Sequence, residues 1–491
     1  MRRMLPLLAL SLVALGCGQK AGVAGSEDTA AGAPAPAQTA APAPITAAPT
    51  GGTTAGPSET DAPVDTGATR DTVTGDTATD DTTDAGSGTT GEPEDTTAST
   101  TPPEAETTAA PAPVGTHEVG SDDSAGVSDT EIVIGIHAPV TGASPIPQTS
   151  FDIGKDIYWK WLDANAPDRL FGRTVRVVFR DDEFNPNQAV SVCREMVEQE
   201  GAFMLVGGGG ADQITACARY ADENGIPYLS AGVNETGLED LTTYFSTTLT
   251  YAEQAPLLIA EAQAQGLTTM GLVVTDTPSF EDAHDAILET ASAAGIEIVA
   301  DLRISKTAAE AEQLATVQEL KNSGAAGVFL LSSPVVFIGL SNTGLNQGYT
   351  PIWLGPGITS GLNAVTNFGC DGAETGRFFS PTPGLDVIDA LDPDFRPAYD
   401  VHGDGNTADD IGLQLWSLNK AISLMFEATG AELGRAAFMN TLESSPGFDN
   451  GIYAPIVYTP EDHLGGTGAH LLDADCGIKQ YTTAQQFVPA N

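Results

Sequence analysis

From about residue 128 the chain alternates between two hydrophobic rhythms. "EIVIGIHAPV" is an unbroken apolar run, the pattern of a strand buried on both faces. "IGKDIYWKWLDAN" repeats apolar residues at three- and four-residue spacing and predicts an amphipathic helix. "TVRVVFRDD" is a strand again. "NPNQAVSVCREMVEQ" then predicts a helix with Asn185 as N-cap and Pro186 in the first turn. "AFMLVGG", "ADQITACARYADENG" and "IPYLSAG" complete a first half. After about residue 250 the same alternation restarts with "TTMGLVVTD", "FEDAHDAILETASAAG", "IEIVADLRI", "AEQLATVQELKNSG", "AAGVFLLSS", "VVFIGLSNTGLNQG" and "TPIWLGPG". Strands alternating with helices of this length predict βαβ units on parallel sheets. Two such halves in succession predict two lobes, with ligands beyond the C-terminal strand ends. The last stretch reads as two long helices, "DIGLQLWSLNKAISLMFEATG" and "AELGRAAFMNTLESS", followed by short antiparallel strands that return to complete both lobes.

Ahead of this, composition changes the picture. Residues 18–127 are largely Ala, Thr, Pro, Gly, Ser, Asp and Glu, which cannot bury enough apolar surface to offset ordering entropy. They are expected to form a disordered tether with a root-mean-square span of roughly 55 Å. The first residues read as a targeting segment: "MRRM" is basic, "LPLLALSLVAL" is a short apolar run, and small residues lead to Cys17 in "ALGC". Residues 1–17 resemble a bacterial lipoprotein signal, in which Cys17 becomes the lipidated first residue. The formal net charge of −46 excludes binding to nucleic acid or anionic lipid through basic patches. The other cysteines, Cys193, Cys217, Cys370 and Cys476, are even in number, as disulfides require in an exported chain. None forms a CxxC pair, so no zinc site is expected, and sequence alone allows three pairings.

Taken in order, "IVIGIHAPVTG", "GRTVRVVFRDDEFNPNQAV", "ENGIPYLSAGVNETGL", "PIWLGPG" and "YTPEDHLGG" resemble the type I periplasmic binding proteins of the Leu/Ile/Val-binding group, receptors of branched-chain amino-acid ABC transporters. The resemblance covers about 128–482. It implies an α/β fold of two Rossmann-like lobes joined by three hinge crossovers, placed near 248–250, 380–383 and 454–458. Lobe 1 is then 128–249 plus about 382–455, and lobe 2 is 250–381 plus about 456–485. It implies a monomeric, extracytoplasmic, lipid-anchored receptor that closes on a small polar ligand, an amino acid or similar, and docks on a membrane permease. A sensing module with the same fold is the alternative. On this map Cys193 and Cys217 fall on adjacent helices, and Cys370 and Cys476 in the second lobe, so those pairs are expected.

The resemblance also implies a site. "GGGGADQIT" occupies the junction where the family grips a ligand carboxylate at a helix N-terminus, so Gly210, Ala211 and Asp212 are candidates. Asp212 as a plain helix cap is the competing reading. "SAGVNET" supplies Gly232 and Asn234. Tyr251, Phe280 and Pro334 come from the second lobe. Gly357 stands where amino-acid-binding members carry a Glu for the α-ammonium, leaving Asp212 or Asp276 to serve instead. The loop after the first strand offers Ser144, Gln148 or Phe151, the last equally suited to the core.

Catalytic signatures are missing: there is no HExxH and no GxSxG. Ser417 and Lys420 match SxxK inside an amphipathic helix, an arrangement expected by chance. "DVHGDGNTADD" lacks the closing Glu of a calcium loop. His463 is read as fixing a turn. No enzyme activity, cofactor or metal is expected.

Overall fold

The computed structural model describes residues 117–230, 237–356 and 361–490. The first half runs β1 (Glu131–Ala138), α1 (Gln148–Asn165), β2 (Thr174–Asp181), α2 (Pro186–Glu198), β3 (Met204–Gly207), α3 (Ala211–Glu223), β4 (Tyr228–Ser230) and β5 (Tyr244–Ser246). Its strands form one parallel sheet in the order β2-β1-β3-β4-β5. β1 lies inside that sheet and is buried on both faces, which is why it reads as one apolar run. At the start of α2 the Asn185 side chain accepts from the N–H groups of Asn187 and Gln188, and Pro186 follows it as expected.

The second half runs α4 (Ala255–Ala264), β6 (Thr269–Thr275), α5 (Glu281–Ala293), β7 (Glu297–Ile304), α6 (Glu310–Ser323), β8 (Gly327–Leu331), α7 (Pro334–Asn346), β9 (Ile352–Gly355), α8 (Leu362–Ala373) and β10 (Gly376–Ser380). Next come α9 (Ile388–Leu391), α10 (Phe395–His402), α11 (Asp410–Thr429), α12 (Arg435–Ser444), β11 (Gly468–Asp475) and β12 (Gln480–Pro489). The second sheet has the order β12-β11-β10-β9-β8-β6-β7, with β11 and β12 antiparallel at one edge. Helices α10 to α12 return to the first sheet. There α11 lies along α1, with Trp416 edge-on to Tyr158 and Trp161 at ring separations of 5.1 and 5.6 Å. Tyr251 does not itself begin α4: Thr250 and Glu253 exchange a reciprocal pair of hydrogen bonds, a capping box that opens the turn ahead of that helix.

Both disulfides have the implied partners. Cys193–Cys217 joins α2 to α3, and Cys370–Cys476 joins α8 to the end of β11.

Two boundaries differ from expectation. The third passage between lobes is not at 454–458 but at 465–467, so lobe 2 does not resume at 456. Ile456 and Tyr458 are buried in the first lobe's core, and Tyr458 meets Phe245 edge-on at 5.2 Å. The passage then runs beside the first crossover: Ser246 N donates to His463 O, and Gly465 N donates to Ser246 O. A Cβ on Gly466 would lie 2.2 Å from Leu249 N, so a glycine is what lets the two strands touch. The tether reading also ends too late, because residues 117–127 are docked. Asp123 accepts from the N–H groups of Arg435 and Ala436 at the start of α12, and Gly126 O accepts from Val133 N. A polar stretch gains structure here because an acceptor-rich segment meets the open N–H groups of a helix end. Residues 1–116, with Cys17, lie outside the described residues.

The lobes are also clasped where α11 meets α8. Asp410, in the first turn of α11, accepts from Gly361 N and Asn363 N, both at 3.1 Å, at the start of α8. Burial, outweighing these two bonds, pushes its carboxyl up to about 6 from an ordinary 3.8. His470 in β11 bonds to Ile452 O at 2.9 Å, and burial pushes it down to about 4 from 6.5. The two slopes oppose. Asp410 binds its proton more tightly when folded, so its share of stability falls as pH rises from about 4 to 6. His470 binds its proton less tightly when folded, so its share rises with pH over about 4 to 6.5. Asp410→Asn is expected to leave the histidine slope uncompensated. Acidification from pH 7 to 5 should then cost the variant about 1–2 kcal/mol more than wild type, as read by urea unfolding. Parallel profiles would rule out this linkage.

Candidate functional site

The C-terminal ends of strands in both sheets open on one cleft holding a cavity of about 330 Å³. From the first lobe, the β1–α1 loop contributes Pro139, Ser144, Pro145, Ile146 and Pro147. This loop is pinned to the end of β2: Asp181 accepts from Val140 N at 3.1 Å and from Thr141 Oγ1 at 2.6 Å. The β3–α3 junction contributes Gly209, Gly210, Ala211, Asp212 and Gln213. Gly210 has φ +80°, and a Cβ there would stand 2.3 Å from Gln213 Oε1. Phe184 completes this wall. Its position is set from below by a buried chain: Tyr228 Oη bonds to His137 Nε2 at 2.7 Å, His137 Nδ1 to Asp182 Oδ2 at 2.8 Å, and Phe184 N donates to Asp182 Oδ1.

The second lobe supplies Tyr251 and Phe280, whose rings meet at 5.2 Å, then Thr275, Thr277 and Lys306. Ser333 caps α7 by accepting from Val336 N, and beyond it Pro334, Val335 and Ile338 form an apolar floor. Gly361, Ala364 and Phe368 close the far side. The wall is therefore mostly proline, aromatic and aliphatic carbon.

Polar groups gather at the α3 end. Gln213 Nε2 and Thr275 Oγ1 are buried and have no hydrogen-bond partner among the described residues. Each such group costs about 1–3 kcal/mol while unmade. Across the cleft, Thr277 Oγ1 and Ser279 Oγ donate to Asp212 Oδ1 at 2.7 and 2.6 Å, and the Lys306 ammonium pairs with Asp212 Oδ2. Desolvation holds the Lys306 ammonium below its usual pKa. The lobes thus touch through an ion pair at the mouth of the cavity.

Of the sequence candidates, Ser144, Gly210, Ala211, Asp212, Tyr251, Phe280 and Pro334 line the cavity. Gly232, Asn234 and Gly357 lie outside the described residues. The carboxylate of Asp212, offered with Asp276 as a receptor for a ligand ammonium, is engaged by Lys306, Thr277 and Ser279. Phe151 is buried in the core of the first lobe, and neither Gln148 nor Asp276 reaches the cavity wall. Ser417 donates to Leu413 O while Lys420 pairs with Asp392, so the SxxK residues serve packing. Sequence reasoning missed Ile146, Phe184, Gln213 and Lys306. Gln213 is the next residue after a candidate and could have been found from its neighbours. Lys306, in "ISKT", carried no signal.

A family model described as periplasmic binding protein matches residues 131–477. The chain belongs to the periplasmic binding protein family. This is a family of binding proteins rather than enzymes, and membership implies a solute-binding domain outside the cytoplasm. The chain is also 31% identical over 121 residues to an amino acid binding protein of Pseudomonas aeruginosa, an alignment spanning 23% of this chain and 30% of that protein's length. A possible leucine/isoleucine/valine-binding protein from Rhodopirellula baltica SH 1 has a similar fold, with TM-score 0.64 and 15% identity over 74% of this chain and 100% of its own. So does a branched chain amino acid ABC transporter protein from Thermus thermophilus with bound valine, with TM-score 0.62 and 16% identity over 74% and 97%. No described helix is long and apolar enough to cross a membrane.

The ion pair across the cleft carries a prediction. Lys306→Met leaves Asp212 with its hydroxyl donors but removes the charge partner. Both groups keep some solvent contact, so a loss of about 1 kcal/mol of lobe-to-lobe attraction is expected. Solution scattering of ligand-free protein should show a larger radius of gyration in the variant, and an unchanged radius would contradict the assignment.

Proposed function

We propose that this protein is the extracytoplasmic receptor of an ABC-type importer and that it traps its solute by closure of the two lobes. The solute is a small organic acid or carbonyl compound with an apolar body. One observation carries the reading: a carbon-lined cavity ends at the N-terminus of α3 with two buried polar side chains lacking partners, Gln213 and Thr275. A carboxylate or carbonyl oxygen there would accept from Gln213 Nε2 and lie in the field of the helix end. The apolar body would fill the space between the β1–α1 prolines and the Tyr251–Phe280 pair, gaining about 0.8 kcal/mol per buried CH₂. Because the ligand touches both lobes, it binds the closed form better and shifts the population toward it.

This differs from a zwitterionic amino acid in one respect. The carboxylate that lines the described wall, Asp212, is spoken for by Lys306, which leaves an α-ammonium without its counter-charge there. In this reading Cys17 is lipidated and the acidic segment after it carries the domain clear of the membrane. The test is a thermal-shift panel of benzoate, phenylacetate and octanoate beside leucine, valine and glutamine. The acids should raise the melting temperature by mass action. A rise with the amino acids alone would replace the ligand class, and no rise with any member would count against solute capture of this kind.

A further inference from the structure

Three metal-ligating side chains from remote parts of the chain converge on the first lobe, away from the cleft. His117 Nε2 lies 2.8 Å from Glu443 Oε1, and His463 Nε2 lies 3.1 Å from the same oxygen. All three ligand atoms fall within 4.8 Å of one another. Each side chain is delivered by its own support. His117 is held to α12 by a reciprocal backbone clamp, in which its N–H donates to Asn440 Oδ1 and its carbonyl accepts from Asn440 Nδ2. Glu443 stands three residues further along α12, on the same face. The His463 ring stacks on Phe245 with centroids 4.2 Å apart, and its Nδ1 lies 3.1 Å from Tyr244 O.

A carbonyl only accepts, so His463 Nδ1 carries a hydrogen and Nε2 is the ring nitrogen turned toward Glu443. A ring nitrogen and a carboxylate oxygen at 3.1 Å need a positive centre between them, a proton or a metal ion. A second imidazole nitrogen is aimed at the same oxygen. We infer that His117, Glu443 and His463 form a binding site for a divalent transition metal ion of the zinc class, with water as a fourth ligand. Two imidazoles and one carboxylate suit zinc, cobalt or nickel, whereas calcium and magnesium take oxygen ligands. A histidine donating its other ring N–H to a backbone carbonyl is the usual support for a metal ligand. Bonds of about 2.0–2.1 Å in a tetrahedron put ligand atoms about 3.3 Å apart, so the two histidine–glutamate pairs, at 2.8 and 3.1 Å, need open by only a few tenths of an ångström. The ion would tie the segment entering the domain to α12 and to the 463–465 strand that hydrogen-bonds Ser246 at the first crossover. Metal supply would thereby stiffen the base of the hinge.

The full chain, dialysed against EDTA, is titrated with zinc chloride by calorimetry and with cobalt chloride by visible absorption, alongside His117→Gln and His463→Gln. Wild type should take up one tight equivalent of zinc and give the d–d bands of four-coordinate cobalt. His117→Gln should bind zinc at least tenfold more weakly and lose those bands. His117 lies on a surface segment, so its variant keeps the test valid if His463→Gln fails to fold. Equal zinc affinity in His117→Gln and wild type would overturn the site. So would a wild-type isotherm with no saturable step above the weak uptake of the acidic segment; a proton would then be the occupant.

Discussion

In a Gly210→Val protein, solute should raise the melting temperature far less than in wild type, although the fold remains intact. The backbone at this position has φ +80°, which costs an L-residue about 1–2 kcal/mol, and more with a branched β-carbon. The new Cβ would also stand 2.3 Å from Gln213 Oε1. Gln213 is almost fully buried, so it can yield only by moving the amide that faces the cavity or by shifting the start of α3. Either response displaces the donors at the polar end of the site. Loss of one charge-assisted hydrogen bond is worth about 1.5–3 kcal/mol, roughly a 10- to 150-fold weaker complex. The strain is confined to one turn, so the midpoint of thermal unfolding should fall by only a few degrees. Calorimetric titration with whichever acid stabilises wild type checks the loss. Undiminished affinity would mean that solute does not contact the β3–α3 junction.

Removing the Cys370–Cys476 bridge should destabilise the domain more than removing Cys193–Cys217. It spans 106 residues, against 24 for Cys193–Cys217. In the chain-entropy account, closing a loop of about 100 residues restricts the unfolded ensemble by about 4.7 kcal/mol, and the shorter loop by about 3. The bridge also fastens the β11–β12 hairpin, the antiparallel edge of the second sheet, to α8. A Cys370→Ser, Cys476→Ser protein is expected to lose about 4–5 kcal/mol of unfolding free energy in urea, and Cys193→Ser, Cys217→Ser about 3. The edge hairpin of the former should exchange its amide hydrogens faster than the rest of the sheet. A deficit below about 1 kcal/mol, or the opposite ranking of the two bridges, would count against this account.

Where the sequence was legible, the signal was local. The β1 run, the Asn185–Pro186 start of α2 and the β3–α3 glycines each declare themselves within a dozen residues, because strand and helix periodicity and capping chemistry are properties of neighbours. The site candidates that reached the cavity wall did so for a related reason, since strand ends in such sheets point at one cleft. The misplaced third crossover shows the limit. "PIVYTPEDH" looks like any edge segment, and only the burial of Ile456 and Tyr458 against Phe245 assigns it to the first lobe.

By itself, then, the order of apolar runs determined two mostly parallel sheets of alternating strands and helices, and the cysteine count determined that bridges were available. The tertiary structure alone decided which charges and donors meet. Asp212 and Lys306 are 94 residues apart, and His117 and Glu443 are 326 apart. No short-range pattern encodes such pairs. They come together because packing of the two sheets and of α12 fixes where distant loops end, and the energy of each contact exists only after that packing is complete.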